Sequence, residues 1–356
     1  MVEIRFNGVR YAWWQQVQIT SSVDDLCASV TLSVTRPGTG ERLGIDANTV
    51  IEVLIDGTVV ATIRADVIHR QVTADSHRIT IDARSLGREL VDCQYSKTLS
   101  GLTLGDIIKT LCSTFNVPVK IDSTTAKVPD FSMQSESPSN ALINAARSAN
   151  LLLYATADGG IKLTGPADSA PVATLFYGDH IESYEVVDEY KLRFSDYLIK
   201  GYDYPNDKAL KGSVKDAGIG YFRPLHIVAD KLGQGLGGCE RRAEMERNRR
   251  LARSHRIDLQ VYGWTHAGGV WDINTQVRVI IPEEAIDGVY LIGERSFTLD
   301  DRQGSMTRLQ VMKREAFMGE DKPTIKSGAS KKSTAKRQAK SSSSKVSDGN
   351  YGVGEG

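Results

Sequence analysis

Leu232 to Gly238 carries the glycine spacing of a dinucleotide phosphate loop. Gly233, Gly235 and Gly238 stand just before a helical stretch, with Asp258 about twenty residues on, where a ribose hydroxyl would be read. That chemistry needs a buried strand before the loop and an apolar helix face packing back on a parallel sheet. The residues from Cys239 to Ser254 read instead as a helix that is polar nearly all round. The alternation of Ile257, Leu259 and Val261 sets Asp258 on the outer face of a strand. No cofactor is expected.

The same helix holds Arg241, Arg242, Arg247, Arg249, Arg250 and Arg253 against Glu240, Glu244 and Glu246, with Glu246 and Arg250 at the favourable i,i+4 spacing. One reading is a solvated face laced with salt bridges. The other is a polar contact surface against a neighbouring subunit or partner protein, where arginine is favoured for its planar, bidentate geometry. Arg241, Arg242, Arg249 and Arg250 are the candidates for that contact.

Little else offers chemistry. His69, His77, His180, His226, His255 and His266 show no i,i+4 pair and no Cys or carboxylate cluster at ligand spacing, so no metal site is assigned. A Gly-x-Ser-x-Gly elbow is absent. Carboxylates are plentiful, but the sequence alone brings no two of them into a cleft, so a glycosidase-like pair stays open. Trp13, Trp14, Trp264 and Trp271 could stack on a sugar, but beside strand edges they fit core or corner packing better. Cys27, Cys93, Cys112 and Cys239 lie far apart with no Cys-x-x-Cys spacing, as buried free thiols would. No catalytic residue is assigned, and the chain reads as non-enzymatic.

Composition sets the frame. The 356 residues suggest two or three domains, and 40% hydrophobic with 25% charged residues is ordinary for a globular protein with a sizeable core. The longest apolar run, Leu151 to Ala155, is far short of the ~18 to 20 residues of a membrane span, and no secretory signal pattern opens the chain. A cytoplasm-like compartment is expected. Net charge is zero, but residues 319–356 hold eight Lys/Arg against four Asp/Glu, a local +4 that leaves −4 on the rest. With almost no apolar residues, this basic Ser/Lys segment reads as disordered. A polyanion- or partner-binding arm is the sharper alternative.

Short alternating runs with turn chemistry fill residues 1–96 and read as a first antiparallel β-barrel. Val50 to Ile55 and Val59 to Ile63 join through Asp56-Gly57. Residues 97–168 read as a small α+β domain. Its first helix is capped by Thr103 with Asp106 three residues on, and sets Leu104, Ile107, Ile108, Leu111, Cys112 and Phe115 in one stripe. A second helix starts at Ser137 with Pro138 at its first position, buries Leu142, Ala145, Ala146 and Ala149, and ends at Asn150. A hairpin follows through Asp158-Gly159-Gly160. Residues 169–204 and 257–318 read as a second, discontinuous barrel, with strands at Tyr184 to Tyr202, Arg256 to Tyr262, Gln276 to Ile281, Gly288 to Leu299 and Ser305 to Lys313. Residues 205–256 form an insertion holding a loop from Asp203 to Gly220 and the Arg-rich helix. The fold class is therefore mainly β with α+β insertions: two antiparallel β-barrel-like domains plus a small helix-strand domain.

The run from Ser135-Glu136-Ser137-Pro138 through Asn150-Leu151 to Asp158-Gly159-Gly160 resembles a signature of the baseplate hub proteins of contractile-tailed phages, the Mu type in particular. Similar stretches are Asn7-Gly8 through Trp13-Trp14 to Ile19-Thr20; Ala83-Arg84-Ser85 to Leu90-Val91-Asp92; and Val261-Tyr262-Gly263-Trp264 through Gly269-Val270-Trp271 to Asn274. The resemblance covers roughly Val2 to Met318 and departs from the pattern at Ala83, where a Gly is expected. It implies two similar barrels per subunit and a homotrimer presenting six barrels around a channel. It also implies partners in the central spike protein and the tail tube or tube-terminating baseplate proteins, and DNA passing without sequence-specific binding. The expected place is the virion tail baseplate, after assembly in the host cytoplasm. Leu102 to Ile121 also resembles part of a LysM-type peptidoglycan-binding module. The alternatives are thus a peptidoglycan-binding or peptidoglycan-cleaving tail component, or the hub of a phage-like secretion or bacteriocin apparatus.

Overall fold

The Asp56-Gly57 turn holds both residues at positive φ, 49° and 84°, the geometry of a two-residue hairpin whose twist matches its strands. It joins Val50–Ile55 to Thr58–Val72 in a computed structural model. The structure describes residues 2–317 except 13, 36–43, 74–76, 129, 204–207, 229–237 and 301; the segment 319–356, expected to be disordered, lies outside the described residues.

Both β-rich halves are built on one plan. In the first, the hydrogen-bonded order is Gln16–Ser22, Ser29–Thr35, His77–Ser85, Thr58–Val72, Val50–Ile55 and Val2–Phe6. In the second it is Ile181–Asp188, His255–Tyr262, Gly304–Met312, Ile286–Asp300, Gln276–Ile281 and Thr174–Phe176. Chain order is conserved between the two as well as spatial order. Each has one 15-residue strand, and each of these carries a bulge near its middle, at Ala65/Val67 and Ile292/Glu294. The last pairing of each order differs: Val2–Phe6 runs antiparallel to its neighbour, Thr174–Phe176 parallel.

A 15-residue strand is more than twice the usual length, which lets one strand serve two neighbours along the same edge. Ile286–Asp300 pairs Gln276–Ile281 with its first half and Gln16–Ser22 of the other unit with its second. The halves therefore share one 13-stranded sheet. Among the described residues its order runs open from Ile181–Asp188 to Val9–Tyr11, and no strand-to-strand ladder closes either half; a single bridge between Tyr177 and Ile181 is all that joins the end strands of the second. The seam is dry where Ile19 faces Phe297, both fully buried. Arg295 crosses it, donating to Trp271 O at 2.7 Å and Ser21 Oγ at 3.1 Å with its guanidinium over Phe297.

The helices of the described residues are α1 (Arg88–Asp92), α2 (Leu104–Thr114), α3 (Pro138–Ser148) and α4 (Gly238–Arg253). α2 matches its sequence signals: Thr103 Oγ1 accepts from the Asp106 amide, and Leu104, Ile107, Ile108, Leu111 and Cys112 are buried. Ser137 stands at the N-cap of α3 but makes no side-chain bond to the helix; its Oγ lies 3.2 Å from Ser139 Oγ instead. Asn150, at φ 61°, turns the chain out of α3. The hairpin Leu152–Ala155/Ile161–Thr164 and the parallel strand Val119–Ile121 complete this unit, and with α2 and α3 they build a core separate from that of the large sheet.

Two local expectations change. Asp203 to Gly220 is not a loop throughout: Lys208–Lys215 is a strand, pairing with Asp196–Asp203. That second strand leaves the large sheet and, with Pro224–Val228, forms a separate three-stranded sheet. Tyr197 and Ile199, both fully buried, need an apolar cover, and α4 supplies it. Trp264 and Trp271 are core residues, the former donating Nε1–H to Thr298 O. Trp14 is half-buried edge-on to Tyr11, and Trp13 lies outside the described residues. All four cysteines are free, but Cys27 and Cys93 are only half-buried, since each sits beside a helix end rather than on a core stripe.

Candidate partner-contact site

The helix α4 is charged in composition yet packs closely, because small residues form its inward stripe. Cys239, Ala243 and Ala252 are buried, and Cys239 and Ala243 meet Tyr197 and Ile199. Gly212 makes this approach feasible: a Cβ there would stand 2.1 Å from the Glu240 amide nitrogen. The small sheet is tied at its other end by Arg193, which grips Asp216 through Nε–Oδ2 at 2.9 Å and Nη2–Oδ1 at 2.8 Å. Hydrogen bonding from Arg193 holds the Asp216 carboxyl below its ordinary range.

On its other flank α4 borders a cavity of about 360 Å³, walled by Arg147, Ile227, Arg242, Met245, Arg249 and Arg253 with Asp24 at one side. Arg253 Nη2 reaches both Asp24 oxygens, at 2.8 and 2.7 Å, and Arg147 Nη2 adds a third contact at 3.1 Å. Burial pushes the Asp24 carboxyl up, but Arg253 and Arg147 outweigh it and hold the group below its usual value. Asp24 thus links the large sheet to α3 and α4. Arg249 has no such partner among the described residues. Burial, then Arg253 and Arg147, push its guanidinium down to about 10, with Asp24 and Glu246 opposing; Arg147, Arg242, Arg249 and Arg253 against these two carboxylates leave the cavity with an excess of positive charge beside an apolar wall.

Of the residues picked from sequence, Arg242 and Arg249 line this cavity. Arg250 turns away, donating to Glu246 and lying 5.1 Å over the Phe194 ring, which Arg223 also covers at 4.9 Å. Arg241 is exposed on the outer side of the helix. A helix polar nearly all round and lying in solvent is therefore not what forms, since its alanines and cysteine dock it. Asp258 keeps the face opposite the buried Ile257, Leu259 and Val261, but that face is not open to solvent. The residue is 5% exposed and held by Arg256, Arg308 and Gln310, because flanking polar side chains close over that face of the sheet. Gly233 and Gly235 lie outside the described residues. Among the described residues no group of three or more His, Cys, Asp or Glu could hold a metal ion.

Asp24 and Arg147 went unseen in the sequence. Neither belongs to a charge run, and they meet 123 positions apart, so only the tertiary fold reveals them. Among the described residues no helix is long and apolar enough to cross a membrane.

Three family models match consecutive parts of the chain: "Mu phage baseplate assembly protein GpP-like, N-terminal" at residues 1–85, "Baseplate hub protein gp44-like, second domain" at 88–165 and "Mu phage baseplate assembly protein GpP, fourth domain" at 238–320. The chain is 28% identical over 340 residues to the baseplate hub protein gp44 of Escherichia phage Mu, covering 89% of each. Its fold is similar to the 43 kDa tail protein of prophage MuSo2 from Shewanella oneidensis, with a TM-score of 0.78 at 24% identity, over 88% of this chain and 98% of that one. It is equally similar to the tail protein from Neisseria meningitidis MC58, with a TM-score of 0.78 at 23% identity, over 89% and 98%.

Proposed function

This chain belongs to the Mu-type family of phage baseplate hub proteins, and from that premise we propose that three copies close head-to-tail into a ring that joins the tail tube to the central spike and leaves a channel for DNA. It is a structural component of the virion tail. The observation that carries the ring is the repeated sheet unit, which sets two near-copies of one fold side by side in a single chain. A heterologous contact of that kind, continued between chains, closes when its rotation divides the circle. Three chains would then present six repeats, as the family resemblance implies.

In this reading the protein works by holding partners rather than by catalysis, assembles in the host cytoplasm, and touches passing DNA without reading its sequence. The α4 surface, with Arg241, Arg242, Arg249 and Arg250, is a contact for a neighbouring subunit or tail protein. The excess of positive charge around Arg249 favours a partner that brings carboxylates. Light scattering of the purified full chain, alone and with the spike partner, tests the ring: a trimer mass is expected. A monomer at micromolar concentration under both conditions would refute it.

A further inference from the structure

We infer that the outer edge of residues 67–72 is the docking site for strand Ile181–Asp188 of a second copy, antiparallel and in one defined register. This rests on the ring reading above and adds which strands meet and residue by residue how.

The two 15-residue strands occupy the same place in their units, but their edges are used differently. In Ile286–Asp300 the half beyond the bulge is paired on both sides: Gly304–Met312 on one, Gln16–Ser22 on the other. In Thr58–Val72 the half beyond the bulge pairs His77–Ser85 on one side, and among the described residues no strand lies on the other. Val67 and Val72 are left 46% and 70% exposed there. The strand that fills the seam within the chain, Gln16–Ser22, is the first strand of the first unit. Its counterpart in the second unit is Ile181–Asp188, which pairs His255–Tyr262 along one edge and ends the path of the large sheet on the other. Among the described residues each chain therefore has one open edge of each kind. They lie at positions that the seam pairs within the chain, and a second copy is the occupant with the matching shape.

Superposing the pairings fixes the register. Ala65 and Ile292 hold the same place before the bulge, opposite Ala83 and Val311. Ile19 and Val186 hold the same place opposite Val30 and Ile257. The seam pairs Phe297 with Ile19 and Leu299 with Val17. The equivalent contacts between copies are Arg70 opposite Val186, Gln71 opposite Glu185 and Val72 opposite Tyr184, with Arg70 diagonal to Asp188. The charges agree. Residues 67–72 carry Arg70 and His69 and no acid, whereas Ile181–Asp188 carries Glu182, Glu185 and Asp188 and no base. Where the intrachain seam is sealed by Phe297 and Ile19, the seam between copies is polar and charged, which suits a joint made after the subunits have folded. Unpaired edges of this sort invite pairing with another chain.

Disulfide trapping tests it on the full chain. Gln71 and Glu185 are both exposed, and opposite residues in an antiparallel pair lie within disulfide reach. The double variant Gln71→Cys/Glu185→Cys should yield covalent dimers and trimers on mild oxidation. Neither single variant should do so, and Gln71→Cys/Val187→Cys, two positions out of register, should cross-link far less. Arg70→Glu should weaken assembly roughly fivefold to tenfold, most at low salt. A trimer by light scattering with no cross-link in the in-register pair, or with equal cross-linking in both pairs, overturns the edge pairing and leaves the ring standing. A monomer with or without the spike partner removes the ring and this contact together.

Discussion

Replacing Asp24 by Asn removes one charge from the junction of the large sheet, α3 and α4 while keeping the shape and one acceptor oxygen. Arg253 makes two contacts to this carboxylate and Arg147 a third. A hydrogen bond to a charged group contributes ~1.5 to 3 kcal/mol. The Asp24 side chain is 35% exposed and Arg147 37%, so solvent screening pulls each pair toward the ~0 to 1 kcal/mol of surface bridges. Taking ~1 to 1.5 kcal/mol for Arg253 and ~0.5 to 1 for Arg147, the substitution should cost about 2 kcal/mol. Urea unfolding followed by the fluorescence of the buried Trp264 and Trp271 would show a midpoint lowered by roughly 0.7 to 1 M for an m of about 2 to 3 kcal/mol/M. The pH dependence has a definite sign. The folded pKa of Asp24 lies below its unfolded value, so the stabilisation is fully present above about 3.9 and is lost as pH falls through the lower folded value. The gap between wild type and Asp24→Asn should be constant near neutrality and close only in that acid range. A midpoint within about 0.2 M of wild type at neutral pH, or a gap unchanged down to about pH 3, would refute the reasoning.

Leu111→Ala, at a fully buried site in the core around α2, should cost ~2 to 5 kcal/mol in the same assay; below ~0.5 kcal/mol the α2 face would not be core. Burial pushes the Cys27 and Cys112 thiols up to about 12, leaving roughly one thiolate in ten thousand at about pH 8. Mass spectrometry after iodoacetamide should find both sites modified at least a hundredfold more slowly in native protein than in urea, by the order-of-magnitude logic of thiolate fraction and access. Arg242→Glu with Arg249→Glu should leave the subunit folded and weaken assembly or partner binding most at low salt. Assembly equal to wild type from roughly 0.01 to 0.15 M salt would retire α4 as a contact.

Local signals in the sequence carried much of the fold. The 3.6-residue stripe and cap of α2, the Pro138 start and Asn150 end of α3, and the Asp56-Gly57 hairpin all depend on residues within a few positions of each other. What escaped depends on distance along the chain. Nothing near Ser22 marks it for pairing with Glu294, so the merging of two units into one sheet was invisible. The Lys208–Lys215 strand was hidden because Gly212 reads as loop chemistry, whereas its lack of a side chain serves close packing under α4. For the contact site, counting charges inside the Arg-rich helix gave a surplus in need of a partner. Part of that surplus is met by Asp24, which reaches Arg253 across 229 positions.

The seam between the halves also sets a clock on synthesis. Thr20 and Ser296, hydrogen-bonded across it at 2.9 Å, are 276 positions apart. At ~5 to 20 residues per second on the ribosome, strand Gln16–Ser22 waits roughly 15 to 55 s before its partner exists. During that wait its open edge is a template for stray pairing, and a chain cut short before Ile286 would never cover it. The joint thus distinguishes finished chains from truncated ones.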